Sequence, residues 1–254
     1  MKTVIEGLIK NFVEKYPEKL NIVCKWGEPL IAYAAADNKE FYALKKVVGP
    51  THALPEDLLS DAKTVVVYFI PFDQVIIESN IDGRNCSKEW GIAYIETNQL
   101  IADLNAYIRD ELENLGYESN IIPATHNFDV EKLVSDWSHR HIAIIAGLGT
   151  FGLNNMLITD KGCCGRIGSF VTDVKLIPSE KNEKENCLYK KLGTCKKCVD
   201  RCVNDALKVD DFNRYKCYEM CLGNDRFHSK LGLVDVCGKC LVNIPCSIKI
   251  PQKL

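Results

Sequence analysis

Ala62-Lys63-Thr64-Val65-Val66-Val67-Tyr68-Phe69-Ile70-Pro71 is the stretch that settles the architecture. Val65–Ile70 is an unbroken run of β-branched and aromatic residues, ended by a proline that has no N–H to give. It reads as a short central strand buried on both faces. Such a strand needs helices to cover it, and the flanking sequence supplies them. Thr3–Tyr16 alternates apolar and charged residues at helical spacing and predicts an opening helix. Trp90–Leu115 places Ile92, Tyr94, Ile95, Leu100, Ile101, Leu104, Tyr107, Ile108 and Leu112 three and four residues apart, and Gly116 marks its end. Asn120–Pro123 reads as a further strand and Val130–Ala146 as a helix, with Val130, Leu133, Val134 and Trp137 on its apolar side. Met156–Thr159 and Ser169–Leu176 read as strands around the turn Asp160-Lys161-Gly162. Together these predict an α+β domain, a layered α/β arrangement, over residues 1–178. Ser179–Asn186 has no apolar residue and marks a boundary, with a second domain over 179–254.

The 254 residues are 46% hydrophobic and 26% charged, an ordinary composition for a chain with a proper core. No apolar run approaches the roughly 18 residues a bilayer span needs, and Glu6 and Lys10 interrupt the only apolar stretch near the N-terminus. A cytoplasmic protein with no membrane segment is expected. Thirteen cysteines then demand a use other than disulfides, and the odd number points the same way. Nine of them lie from Cys187 onward. That tail carries 13 Lys+Arg against 7 Asp+Glu, although the whole chain has a net charge of −2. A basic tail can contact nucleic acid or can balance bound anionic groups, and its cysteines favour the second reading.

The tail runs Cys187-x7-Cys195-x2-Cys198-x3-Cys202, then Cys217-x3-Cys221, then Cys237-x2-Cys240-x5-Cys246. In two-cluster ferredoxins, three cysteines spaced by two residues hold one [4Fe–4S] cluster and a fourth, three residues on, ligates the other. Cys195, Cys198 and Cys202 match the later part of that run, while Leu192 stands where its first cysteine would fall. A cubane needs thiolates from several directions, so a distant cysteine must return to each site. One set is therefore Cys187, Cys195, Cys198 and Cys246, and the other is Cys202, Cys217, Cys237 and Cys240. Cys221 is in reserve and could replace Cys217. Val203 and Ser247 stand where ferredoxin runs usually carry Pro. Two zinc sites are the alternative, since C-x2-C pairs also build zinc ribbons.

Gly147-Leu148-Gly149-Thr150-Phe151-Gly152 has the spacing of a dinucleotide fingerprint, but the expected helix ahead of it is the wrong context. Three glycines can bring backbone close against a flat ligand, or can simply make a tight packing turn. Just before them, His139-Arg140-His141 would fan out around a helix and cannot all face one ligand. Cys163 and Cys164 read as packing residues.

Ala146-Gly147-Leu148-Gly149-Thr150-Phe151-Gly152-Leu153-Asn154, then Leu157-Ile158, Gly168–Asp173 and the tail with its eight assigned cysteines, in that order, resemble the epoxyqueuosine reductase family, which is related to the reductive dehalogenases. The resemblance implies a cobalamin-binding domain distantly like the nitroreductase fold, with Ser138, His139, Gly147, Gly149, Gly152 and Asn154 along the cofactor face. It further implies a ferredoxin-like tail whose two [4Fe–4S] clusters pass electrons to a corrinoid, a flavin being the alternative. Counting back from Ala146, the family's acidic catalytic position falls on Leu133 and a following Glu falls on His139, while the usual Lys of the turn is Leu153. Leu133 cannot donate a proton, so the substrate stays open, with Arg140 and His141 as the expected contacts. The chain also reads as a short member without a C-terminal helical-repeat extension. The expected partners are a ferredoxin- or flavodoxin-type donor and an unknown substrate. A second reading is a non-enzymatic electron carrier or reductive activator that docks a corrinoid protein. A third, a nucleic-acid-binding zinc protein, lacks the interleaved aromatics it would need.

Overall fold

The structure is a computed structural model that describes residues 1–20, 22, 24–123, 128–181 and 184–252. In chain order the elements are α1 (Lys2–Leu20), β1 (Leu30–Ala35), α2 (Glu40–Val47), α3 (Pro55–Leu58), β2 (Thr64–Pro71), α4 (Gln74–Ser79), α5 (Lys88–Asn114), β3 (Ser119–Ile121), β4 (Phe128–Asp129) and β5 (Val134–Ser135). They continue with α6 (His139–Ile145), β6 (Thr150–Phe151), β7 (Leu157–Ile158), β8 (Gly165–Thr172), α7 (Leu188–Leu192), α8 (Lys197–Asp200) and α9 (Arg214–Phe227).

The central sheet has the order β1-β2-β8-β3, and every neighbouring pair is antiparallel. All eight residues of β2 are buried, as its composition predicts. Its side chains divide by parity: Val66, Tyr68 and Ile70 pack with Ile5, Ile9 and Leu104 of α1 and α5, whereas Val65 and Val67 pack with Phe41, Leu44, Ile142 and Ala143 of α2 and α6. The result is a helix–sheet–helix sandwich. α5 starts at Ser87, whose hydroxyl accepts from Trp90 N, and stops before Gly116 at φ 81°.

Two expectations change. The helix predicted over Val130–Ala146 is only α6. Ahead of it, Asp129 Oδ1 accepts from the N–H groups of Glu131 and Lys132, both at 2.9 Å, and Leu133 sits at φ 53°. A carboxylate that caps its own downstream backbone makes a turn, so Val130 and Leu133 belong to a β4–β5 hairpin despite their helical spacing. The strand predicted over Ser169–Leu176 lies four residues earlier. Gly165 and Gly168 let the Phe69 and Tyr68 rings lie against the first half of β8, which in sequence falls between the turn at Asp160–Gly162 and the strand expected from Ser169. After Thr172 the chain peels off, because Thr64 Oγ1 donates to Val174 O and accepts from Leu176 N.

The tail does not stand apart from this sandwich. A third core joins Phe72, Ile76, Trp90, Ala93, Cys163 and Cys164 to Cys198, Leu207, Val234, Leu241 and Ile244. Among the described residues no helix is long and apolar enough to cross a membrane.

Candidate functional site

The cysteines of the first set come together. Cys187, Cys195, Cys198 and Cys246 line one cavity, whose remaining wall includes Gly152, Asn154, Ile158 and Ile244. Cys187 is delivered by a short chain of hydrogen bonds from the β6–β7 hairpin. Thr150 Oγ1 donates to Glu185 Oε1 at 2.9 Å, Asn186 N–H donates to Thr150 Oγ1 at 3.0 Å, and Asn186 Nδ2 donates to Ile158 O at 2.8 Å. Cys246 arrives on the return loop, which Cys163 and Cys164 hold through their N–H groups to Cys246 O and Ser247 O. Ser247 closes that loop by donating to Leu241 O and Ile244 O. Burial pushes the Cys198 thiol up to about 12, with Cys246, Cys187 and Cys195 contributing in that order.

The second set lies alongside. The charges felt by Cys240 come, after its burial, from Cys237, Cys217 and Cys202, and then from Cys198 of the first set. Backbone N–H groups of Ala206 and Leu207 both donate to Cys202 Sγ at 3.3 Å, an arrangement that stabilises a thiolate. Cys217 and Cys221 are one turn apart on α9. The Cys221 hydrogen bond and, against the cost of burial, the Arg140 guanidinium hold Cys217 below the usual thiol range, while Cys221 is pushed up. Among the described residues no three His, Cys, Asp or Glu side chains are placed to hold a single ion. The cysteines ring spaces; they do not converge on a point.

Two features of this wall carry no sequence signature. Lys239, between Cys237 and Cys240, is 1% exposed, and its Nζ donates only to backbone carbonyls, Asn80 O at 2.9 Å and Asp82 O at 2.7 Å. A buried ammonium without a carboxylate partner is expensive unless another anion lies close. Trp90 Nε1 is a buried donor with no partner among the described residues, and its indole packs against Gly238 so closely that a Cβ there would overlap the ring. Both observations fit an acceptor-rich anionic group inside the second cysteine set, so the donor set and its surroundings suit sulfur clusters.

In the Gly-rich segment the direction a side chain would take is filled at each glycine by the chain itself. A Cβ on Gly147 would lie 2.6 Å from Glu180 O, one on Gly149 would strike Ile158 O, and one on Gly152 would lie 2.6 Å from Asn154 Oδ1. The glycines make room for the chain itself. Asn154, 5% exposed, donates from Nδ2 to Cys240 O at 3.0 Å and accepts from Met156 N at 3.2 Å. The turn thus braces both cysteine sets, through the Thr150–Asn186 contacts on one side and Asn154 on the other.

His139, Arg140 and His141 point different ways, as their spacing requires. His139 is buried, with Nδ1 bonded to Ser169 Oγ at 2.8 Å and Nε2 to Pro123 O at 3.1 Å, while Trp137 Nε1 donates to the same Ser169 Oγ at 3.0 Å. Arg140 donates to Asn155 O at 2.7 Å on the side that faces Cys217. His141 is half-buried, bonded to Ser138 Oγ at 2.8 Å and edge-on to Phe151. Burial first, then Arg140 and His52, lower its pKa to about 4, so it is a neutral imidazole at neutral pH. His52 is a site residue the sequence reading missed. It accepts from Ser138 N at 3.1 Å and stacks on Trp137. Nothing in the sequence around Thr51-His52-Ala53 signals this, because the contact spans 86 residues.

No family model matches the chain. Among curated proteins it is 26% identical to the epoxyqueuosine reductase of Bacillus anthracis over 162 residues, covering 60% of this chain and 38% of that protein. It is 27% identical to the enzyme of that name from Cyclobacterium marinum over 159 residues, covering 62% and 47% respectively. Its curated relatives are epoxyqueuosine reductases. The chain spans less than half the length of these two. Among solved structures, epoxyqueuosine reductase from Streptococcus thermophilus superposes with a TM-score of 0.55 at 19% identity, covering 97% of this chain and 68% of that one. A catabolic reductive dehalogenase superposes with a TM-score of 0.57 at 14% identity over 87% of this chain and 30% of that one. The mixed helix-and-sheet fold therefore resembles both, in agreement with the resemblance in the motifs.

Proposed function

We propose that the chain is a cytoplasmic iron–sulfur oxidoreductase whose tail is a ferredoxin-like module holding two [4Fe–4S] clusters. Cys187, Cys195, Cys198 and Cys246 hold one and Cys202, Cys217, Cys237 and Cys240 the other. The observation that carries this reading is the shared cavity of the first four cysteines, which come from three stretches of the chain: Cys187 ahead of α7, Cys195 and Cys198 at α8, and Cys246 on the return loop. Bound clusters supply one-electron transfer. The protein's own part is to exclude water from Cys187 and Cys198, donate two N–H groups to Cys202 and place the Lys239 charge beside the second set. Zinc is disfavoured because a single ion needs ligands that converge on a point.

The residues expected along a corrinoid or flavin face are partly taken up by contacts within the chain. All three glycines are turned into the chain's own backbone or side chains, and both ring nitrogens of His139 are engaged. This favours the second reading, an electron carrier or reductive activator that docks a corrinoid protein, with Arg140 as the contact on the Cys217 side. Anaerobic purification with iron, sulfide, zinc, cobalt and flavin analysis tests both parts. About eight irons are expected, falling to about four in Cys202→Ser and staying at about eight in Cys221→Ala. Two zincs and no iron would overturn the cluster reading. Stoichiometric cobalamin or flavin would restore the enzyme reading.

A further inference from the structure

The first cysteine set opens towards the surface at Cys195 and Cys246, and the first of these lies among lysines. Cys187 and Cys198 are 7% and 8% exposed, whereas Cys195 and Cys246 are half-buried, Cys195 between the exposed residues Thr194 and Lys196. Around it Lys190 and Lys191 end α7, and Lys196 and Lys197 open α8, all four exposed. From Leu188 to Val199 the chain has no Asp or Glu. Among the described residues none of the four lysines takes part in an ion pair. Lys196 lies over the Tyr189 ring at 6.0 Å, and Leu192, 45% exposed, gives the patch an apolar centre. Four unpaired cations around an apolar spot form a docking surface for an acidic protein.

We infer that this lysine ring is the entry port for electrons, the surface on which a small acidic electron-carrier protein docks over Cys195. The inference rests on the two-cluster reading above. One electron leaves the reduced carrier and enters at the first cysteine set; the carrier is oxidised by one electron, that set is reduced by one, and no bond or proton is exchanged. Charge complementarity argues for the acidic partner, and the rest of the chain strengthens it. The tail is net basic while the residues before it are net acidic, so an acidic carrier is repelled elsewhere and steered to this end. Nucleic acid would also be drawn to four lysines, but it needs stacking aromatics, and Tyr189 is already covered by Lys196.

The test uses the full, iron-loaded chain and a purified acidic bacterial ferredoxin held reduced. Complex formation is read by calorimetry, and cluster reduction by stopped-flow absorbance, in wild type and in Lys190→Glu/Lys191→Glu/Lys196→Glu/Lys197→Glu. A double variant, Lys190→Glu/Lys191→Glu, lies further from the ligand cysteines and guards against failed assembly. Wild-type affinity and rate should both fall steeply as salt is raised, and the variants should lose at least tenfold in both at low salt with a flattened salt dependence. Reduction by a small reductant that needs no docking should stay within twofold. Wild-type values independent of salt, or variants that bind and react like wild type with their iron intact, would overturn the port and leave the cluster reading standing. A patch that binds single-stranded RNA while carrier reduction is unaffected by the substitutions also overturns it. Wild type without iron would sink the cluster reading, and the port with it.

Discussion

Lys239→Met isolates one charge in the proposed electron path. Lys239 is the only ionisable side chain between Cys237 and Cys240, is fully buried, and is bonded only to the carbonyls of Asn80 and Asp82. Methionine keeps most of its length and removes the charge. A unit positive charge held ~7 Å from a cluster at an effective dielectric of ~20 favours the extra electron by ~2 kcal/mol. For a one-electron couple, where ~59 mV is a factor of ten, that corresponds to ~90 mV. Redox titration followed by electron paramagnetic resonance should therefore show one cluster moving down by ~90 mV, while the more distant one moves by a fraction of that. The same substitution separates loaded from iron-free protein. Without metal the ammonium is an uncompensated buried charge, so its removal should leave the urea midpoint of the apo chain unchanged or raised, offset by two orphaned carbonyls at ~1–3 kcal/mol. If neither potential moves by more than ~20 mV in Lys239→Met, Lys239 does not face an anionic cluster and the electrostatic reasoning fails.

The remaining predictions probe the scaffold. Gly149→Ala places a methyl against Ile158 O and should cost ~2–3 kcal/mol in urea unfolding, as an overpacked turn does, whereas Gly7→Ala in the middle of α1, with open space around it, should stabilise by ~0.5–1 kcal/mol. Asn154→Ala removes the donor to Cys240 O and should cost ~1–2 kcal/mol while speeding iron loss to a chelator, measured as release over time. His141 has a folded pKa near 4 against an ordinary 6.5, so the unfolded chain binds the proton more readily between those values. Stability should then fall as pH drops from about 6.5 towards 4, by up to ~3 kcal/mol, and His141→Gln should flatten that slope. A slope unchanged by the substitution would assign the acid sensitivity to other groups.

Local signals were readable where one physical cause dominated. β2 announced itself because burial on both faces demands an unbroken apolar run, and α5 because 27 residues of periodicity leave no rival pattern. Val130–Trp137 shows the opposite case. Its spacing is helical, yet one Asp129 carboxylate accepting two N–H groups outweighs that weak preference, and the chain turns. The direction of the sheet was also out of reach, since a strand buried on both faces is equally at home in parallel and antiparallel sheets. The cysteines could be grouped by spacing because sulfur ligation limits it strictly, and the four of the first group line one cavity. Lys239, Trp90 and His52 could not, because their roles are set by what lies across 86 residues or more: a lysine is legible as a surface charge, and only the fold shows that this one is buried beside thiols.

The Gly-rich turn is where sequence and structure assign the same residues to different work, and the difference bears on how such a chain operates. Read along the sequence, Gly147, Gly149 and Gly152 suggest backbone opened for a ligand. In three dimensions each glycine admits a piece of the chain, and two of those close approaches lie on the hairpin that carries Thr150, Asn154 and Ile158. That hairpin holds Asn186, and so Cys187, on one side and Cys240 on the other. A side chain at any of the three glycines would have to displace Glu180, Asn154 or Ile158, and through Ile158 and Asn154 it would loosen the support of both cysteine sets. On the two-cluster reading proposed above, electrons entering beside Cys195 would pass from the first set to the second, whose Cys217 feels the Arg140 guanidinium, and the glycine turn braces both sets through Asn186 and Asn154.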